Sequence, residues 1–237
     1  MKEQVVSFQS AGLRLHGVIG VPETLSPGER RAAFLVLHGF GSNSESSNVV
    51  QPTRVLNEFG YVTLRFDMRG CGKSEGELGR VICLEQVEDL NNALAFLATN
   101  PAVDPARIGA IGSSFGGAVA VYAGGTNPRF AAVISNGGWG HGERKFRGQH
   151  RTAEAWAKFT RMLDEGRAHR ARTGQSLMVP ATTSCRYPTT SAIIWSGKRS
   201  ECWRRIPLKC FPRKRRRACS ISALRAWSGK SRRGRCC

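Results

Sequence analysis

Arg107-Ile108-Gly109-Ala110-Ile111-Gly112-Ser113-Ser114-Phe115-Gly116-Gly117-Ala118-Val119-Ala120-Val121-Tyr122-Ala123-Gly124 is the stretch on which the fold of this 237-residue chain turns. Its opening residues, Arg107 to Ile111, read as a strand. Gly116 to Gly124, mostly small, read as a helix able to pack closely on a sheet. Between them Gly112-Ser113-Ser114-Phe115-Gly116 fits G-x-S-x-G, the sharp strand-to-helix turn that lifts a serine hydroxyl out of a sheet. Such a turn brings backbone against backbone, so its flanks need small residues, which Gly112 and Gly116 supply. The bare pattern has little specificity. The strand before it and the small-residue helix after it are what make Ser114 a candidate nucleophile rather than part of a plain glycine-rich turn.

Outward from this stretch, the apolar runs Ala32–Leu37 and Tyr61–Phe66 read as strands buried on both faces of a parallel sheet, and Ala131–Ser135 reads as a further strand. Val49 to Phe59 reads as a helix closed by Gly60, and Val87, Leu90, Leu94 and Leu97 mark one face of a second helix that ends before Pro101. Strand and helix alternate, which predicts an α/β fold with a doubly wound, mainly parallel sheet over residues 1–180. Val5–Gln9 and Leu13–Val18 alternate apolar with polar instead, as antiparallel strands around a turn at Ala11-Gly12. Residues 150–172 read as one basic helix with Trp156, Phe159 and Leu163 on one face, inserted over the sheet edge.

Two loops follow buried strands. After the first comes His38-Gly39-Phe40-Gly41-Ser42, whose glycines let the chain fold back so that the amide of Phe40 can serve as one oxyanion donor, with the amide of Phe115 as the other. His38 reads as a structural histidine bonding its own loop. After the second comes Asp67-Met68-Arg69-Gly70-Cys71-Gly72-Lys73-Ser74. A phosphate-binding loop, G-x-x-x-x-G-K-[ST], would need glycine where Asp67 stands, so nucleotide binding is rejected and Asp67 and Arg69 are expected to hold the loop beneath the site.

Oxyanion loop, Asp-x-Arg-Gly-x-Gly-x-Ser loop and serine elbow, in this order and each after its own strand, resemble the α/β-hydrolase superfamily, with wording similar to its dienelactone-hydrolase and X-prolyl-dipeptidyl-peptidase-like branches. The resemblance covers residues 1 to about 180. It implies acyl transfer without a cofactor: Ser114 attacks the carbonyl of a small-molecule ester, thioester or amide. It also implies an acid and a histidine on loops after the last strands. The five histidines are His16, His38, His141, His150 and His169, so the usual base position is empty, and Glu201 is the only carboxylate after Glu165. His141, in Gly138-Trp139-Gly140-His141-Gly142, comes too early to match; it is the remaining candidate base, with an ordinary loop histidine the better reading.

Composition changes abruptly near residue 180. Residues 1–180 carry a net +4 and residues 181–237 a net +15 of the chain's +19, and six of the eight cysteines and three of the five tryptophans lie in the second segment. Apolar periodicity stops after Val179-Pro180, and Arg, Cys, Ser, Trp and Pro take over, as in GC-rich codons read in a wrong frame. The expectation is a hydrolase domain lacking its last strands, with 181–237 non-native or disordered and activity impaired. The alternative is a non-enzymatic protein whose basic tail, with Pro212-Arg213-Lys214-Arg215-Arg216-Arg217, binds nucleic acid. A selected tail rarely scatters six cysteines and three tryptophans, so any such binding is expected to be non-specific. The alternating start and the lack of a long apolar run predict no secretory leader, no membrane span and a cytoplasmic setting. No signal bears on oligomeric state.

Overall fold

A computed structural model describes residues 1–175 together with Leu177 and Val179. The basic, cysteine-rich segment 181–237, with its Pro212–Arg217 run, lies outside the described residues.

Strands β1 (Lys2–Ser10) and β2 (Leu13–Val21) pair antiparallel in register Lys2↔Val21 to Ser10↔Leu13. The two residues between them, Ala11 and Gly12, both have positive φ, 49° and 79°, as a tight two-residue hairpin requires. Then follow β3 (Arg31–Leu37), α1 (Ser47–Glu58), β4 (Val62–Phe66), α2 (Cys83–Ala98), β5 (Val103–Ser113), α3 (Phe115–Thr126) and β6 (Ala132–Asn136). The strand order is β1-β2-β4-β3-β5-β6, with β4, β3, β5 and β6 mutually parallel and β2 joined antiparallel to β4. This is the doubly wound, mainly parallel sheet that the alternation of elements predicts.

Strand periodicity sorts the core into two layers. Ala33, Leu35 and Leu37 of β3 join Leu64, Phe66, Ile108 and Ala110 in the main apolar cluster, together with Leu90, Leu94 and Leu97 of α2 and Val119 and Ala123 of α3. The alternate residues Phe34 and Val36 are equally buried and stand outside that cluster, and α1 packs on β3 and β4 through Val49 and Leu56. A sheet covered on both faces needs continuous apolar strands, which is why the runs at 32–37 and 62–66 show no alternation.

The chain after β6 departs from expectation. The helix expected over 150–172 is present as α5 (Ala153–Thr173), but it is preceded by a short helix that the sequence reading did not anticipate, α4 (Gly142–Gln149), and Thr152 caps α5 by accepting from the Ala155 N–H at 3.1 Å. Of the face predicted from Trp156, Phe159 and Leu163, only Phe159 is buried, while Leu163 is exposed. Phe159 stacks on Phe146 and His150 and stands outside the main cluster. The physical reason is composition: α4 buries no residue and α5 only one, so the pair is held by a small aromatic cluster instead of an apolar stripe laid on the sheet.

Candidate active site

β5 ends at Ser113 and α3 begins at Phe115, so the reversal falls on Ser114, whose backbone stands at φ 55°, ψ −116°. Apart from Ala11 in the hairpin turn, Ser114 is the only non-glycine at positive φ among the described residues. Such a conformation costs on the order of 1–3 kcal/mol and persists only where its surroundings over-determine it. They do so here. The Ser114 N–H donates to the Asn136 carbonyl at 2.8 Å, tying the elbow to the end of β6, and the Ser114 carbonyl accepts from the Ala118 N–H at 3.2 Å. A methyl group on Gly112 would lie 2.1 Å from the Gly116 carbonyl oxygen, and one on Gly116 would lie 2.4 Å from the His38 carbonyl oxygen. Neither position has room for a side chain. Ser114 itself is exposed.

The loop after β3 lies against this elbow. A methyl group on Gly39 would sit 3.5 Å from Ser114 Cβ and 3.3 Å from the Ser113 carbonyl oxygen. The amides of Phe40 and Phe115 have no hydrogen-bond acceptor among the described residues. Phe115 is the first residue of α3, where N–H groups lack an intrahelical partner. The His38 ring, 1 % exposed, is fully engaged: Nε2 accepts from the Met68 N–H at 3.2 Å, which leaves Nδ1–H to donate to the Gly39 carbonyl at 2.9 Å. Burial pushes its pKa below the ordinary histidine value, against the opposing pull of the Gly39 hydrogen bond and the Asp67 charge. A neutral His38 thus clasps the loop after β3 to the loop after β4.

That second loop is organised by Asp67 and Arg69. The buried Asp67 carboxylate accepts from the Ser44 N–H at 2.6 Å and from the Lys73 N–H at 2.9 Å, and Gly72 at φ 52° passes so close that any side chain there would strike it. Arg69 forms a forked pair with the fully buried Asp89 of α2, Nε at 2.9 Å and Nη2 at 2.7 Å, and Asp89 also accepts from the Ser10 hydroxyl at 2.6 Å. Sequence reading missed Asp89. Lying one position before Leu90 and two after Val87, it is off the apolar face that Val87, Leu90, Leu94 and Leu97 mark, so the local pattern gave no signal of its burial.

All five histidines lie among the described residues, and none hydrogen-bonds Ser114. His16 faces Asp67 at 3.5 Å, and His150 is stacked on Phe159 with Nδ1 bonded to the Phe146 carbonyl. His169 lies on α5. The structure places the candidate base His141 as the exposed N-cap of α4, where Nδ1 accepts from the Arg144 N–H at 3.2 Å. Just before it Trp139 rests against Phe115, ring centroids 5.9 Å apart, a contact that sequence reading did not anticipate.

A serine in a strained strand-to-helix elbow, faced by a glycine loop and set on a doubly wound, mainly parallel sheet, defines the α/β-hydrolase class. The profile of one family of this class, described as serine aminopeptidase, S33, matches residues 28–183, and the chain belongs to that family. It is 29% identical over 151 residues to an uncharacterised 31.7 kDa protein of the traX-finO intergenic region of Escherichia coli, covering 63% of this chain and 51% of that one. It is 35% identical over 127 residues to the thiohydrolase aneE of Aspergillus aculeatus, covering 52% and 37%. The structure is similar to that of the α/β-hydrolase GrgF from Penicillium sp. sh18, with TM-score 0.61 and 25% identity over 76% of this chain and 58% of that one. The chain therefore spans about half the length of the E. coli relative and less of aneE. No helix among the described residues is long and apolar enough to cross a membrane.

Proposed function

We propose that the chain is a serine hydrolase acting on a small-molecule ester, thioester or amide through an acyl-enzyme on Ser114. The observation that carries this reading is the Ser114 backbone at φ 55°, with Gly39 so near that a methyl group on it would lie 3.5 Å from Ser114 Cβ: strain is held beside the loop that carries the Phe40 amide. Ser114 Oγ attacks the acyl carbonyl, and the negative charge that develops on its oxygen is met by the N–H groups of Phe40 and Phe115. The carbon–leaving-group bond then breaks, the leaving group departs with a proton, and water hydrolyses the acyl-enzyme to free the acid and regenerate the hydroxyl. The thiohydrolase relative favours a thioester among the three substrate types.

None of the five histidines hydrogen-bonds Ser114, and on this reading its hydroxyl has nothing to take its proton at neutral pH and the chain is an impaired hydrolase. Where the family carries its acid and histidine, this chain carries 181–237, which we read as missense sequence from a shifted frame near codon 180. Loss of the base in a serine protease lowers turnover by roughly six orders of magnitude, with about three orders above water remaining. The chain should therefore hydrolyse p-nitrophenyl butyrate at least ~10⁴-fold more slowly than a frame-restored version. A fluorophosphonate probe should label it slowly, on the Ser114 peptide alone, at a rate rising about tenfold per pH unit as hydroxide replaces the missing base. Ser114→Ala should abolish labelling. Labelling of a different serine, or none at high pH, would overturn the reading.

A further inference from the structure

A cavity of about 430 Å³ opens on the segment that follows β6, lined by Trp139, Gly140, His141, Arg144 and Lys145. It adjoins the elbow, because the ring of Trp139 packs against Phe115, the residue after Ser114, and the Asn136 carbonyl at the head of this segment holds the Ser114 amide. The charge is one-sided. Lys145, half-buried, holds its Nζ 5.3 Å from the centre of the Trp139 ring, and Arg144 is exposed. Neither has a carboxylate partner among the described residues, and the nearby Glu143 is spent on Arg147 at 3.2 Å. Some cations of this fold are matched, as Arg65 is to Glu3, Arg69 to Asp89 and Glu88, and Arg107 to Asp104. Lys145 differs from cations such as Arg129 and Lys158, unmatched among the described residues but exposed, in being partly buried against Trp139. A partly desolvated ammonium with only a ring face for company is an open position for an anion.

We propose that this cavity binds an anionic group of the acyl substrate, with Lys145 and Arg144 as its charge partners and Trp139 as its apolar floor. The inference rests on the Ser114 hydrolase reading and names the substrate class for it: acyl compounds that carry a carboxylate or phosphate beyond the scissile bond. A carboxylate would sit on the acyl portion and phosphates on the leaving portion, and both present oxygens to the same two cations.

The test is calorimetric binding to the full chain, which needs no turnover. Monobutyl glutarate supplies the carboxylate, coenzyme A the phosphates, and dibutyl glutarate a neutral control. The wild-type chain should bind one of the anions at least about tenfold more tightly than the neutral diester at low salt, and the preference should fall as salt rises. Lys145→Ala with Arg144→Ala should shrink that preference to what the remaining basic residues give. Because the variant keeps all other basic residues, non-specific anion binding elsewhere cancels in the comparison, and an unchanged circular-dichroism melt verifies its fold. Ser114→Ala should bind as wild type does, so the inference can fail while Ser114 still labels, and the reverse. Equal binding of anions and diester, or a preference of the same size in wild type and the double variant, would overturn it.

Discussion

The elbow on β5 and the two helices after β6 are held by opposite means. Around the elbow, Leu35, Leu37, Ile108, Ala110 and Val119 are 0–1 % exposed, and the backbones of Gly112, Gly116 and His38 touch. In α4 and α5 a single residue, Phe159, is buried. The rest is local: caps from His141 and Thr152, and ion pairs Glu143–Arg147 and Asp164–Arg167 on exposed faces. Contacts between residues far apart in sequence can hold a strained conformation, because releasing it would disturb a close-packed core. Local caps and exposed ion pairs, worth up to about 1 kcal/mol each, cannot. The hydroxyl proposed as nucleophile sits on the over-determined part, and the cations proposed to select a substrate sit on the loosely held part.

Three substitutions that exchange glycine with a small side chain can break or sharpen this contrast. The largest effect belongs to Gly112→Ala, whose methyl group would stand 2.1 Å from the Gly116 carbonyl oxygen. Because backbone and not a flexible side chain must move, we expect a loss of at least about 3 kcal/mol in urea unfolding, enough to prevent folding if the protein is marginal. A loss below about 1 kcal/mol would mean that the elbow is not fixed by packing.

Next in size is Ser114→Gly. Glycine adopts φ 55° without the Cβ penalty, so strain on the order of 1–3 kcal/mol is relieved, less about 0.5–1 kcal/mol for glycine's freer unfolded chain. The expected net is a gain of about 1 kcal/mol in unfolding free energy, together with loss of all fluorophosphonate labelling. No gain would show that the elbow stores no strain.

The smallest effect is Gly166→Ala on α5. Nothing lies within 4 Å of the added methyl group, and Gly166 is not at positive φ. Helix propensity alone should then raise stability by about 0.5–1 kcal/mol, seen as a higher melting temperature at unchanged helical signal. Substitution of glycine by alanine thus has opposite signs in the two regions. A destabilised Gly166→Ala would mean that α5 is packed more tightly than its exposure indicates.

The parts legible in the sequence are those whose cause is local. Gly112-Ser113-Ser114-Phe115-Gly116 announces the elbow because small residues must flank a serine there. Runs such as Ala32–Leu37 announce buried strands because two covered faces leave no place for alternation. The spacing of Val87, Leu90, Leu94 and Leu97 announces α2, all four being buried at that turn period. Helix α4 was not legible: Gly-Glu-Arg-Lys-Phe-Arg-Gly-Gln has two glycines and one apolar residue, so neither propensity nor period distinguishes it from a loop.

By itself, then, the sequence determined the alternation of elements and the serine turn between β5 and α3. The tertiary structure alone decided what meets what. The order β1-β2-β4-β3-β5-β6 sets β3 beside β5 and thereby brings Gly39 against Ser114, 75 positions away. It also delivers Asp89 of α2 to Arg69 and to Ser10, 79 positions back, and lays Trp139 on Phe115. Periodicity and steric need at a turn act between residues a few positions apart and are written in the local pattern. Strand neighbours and buried ion pairs depend on which apolar faces are buried together, which is settled only when the whole core packs.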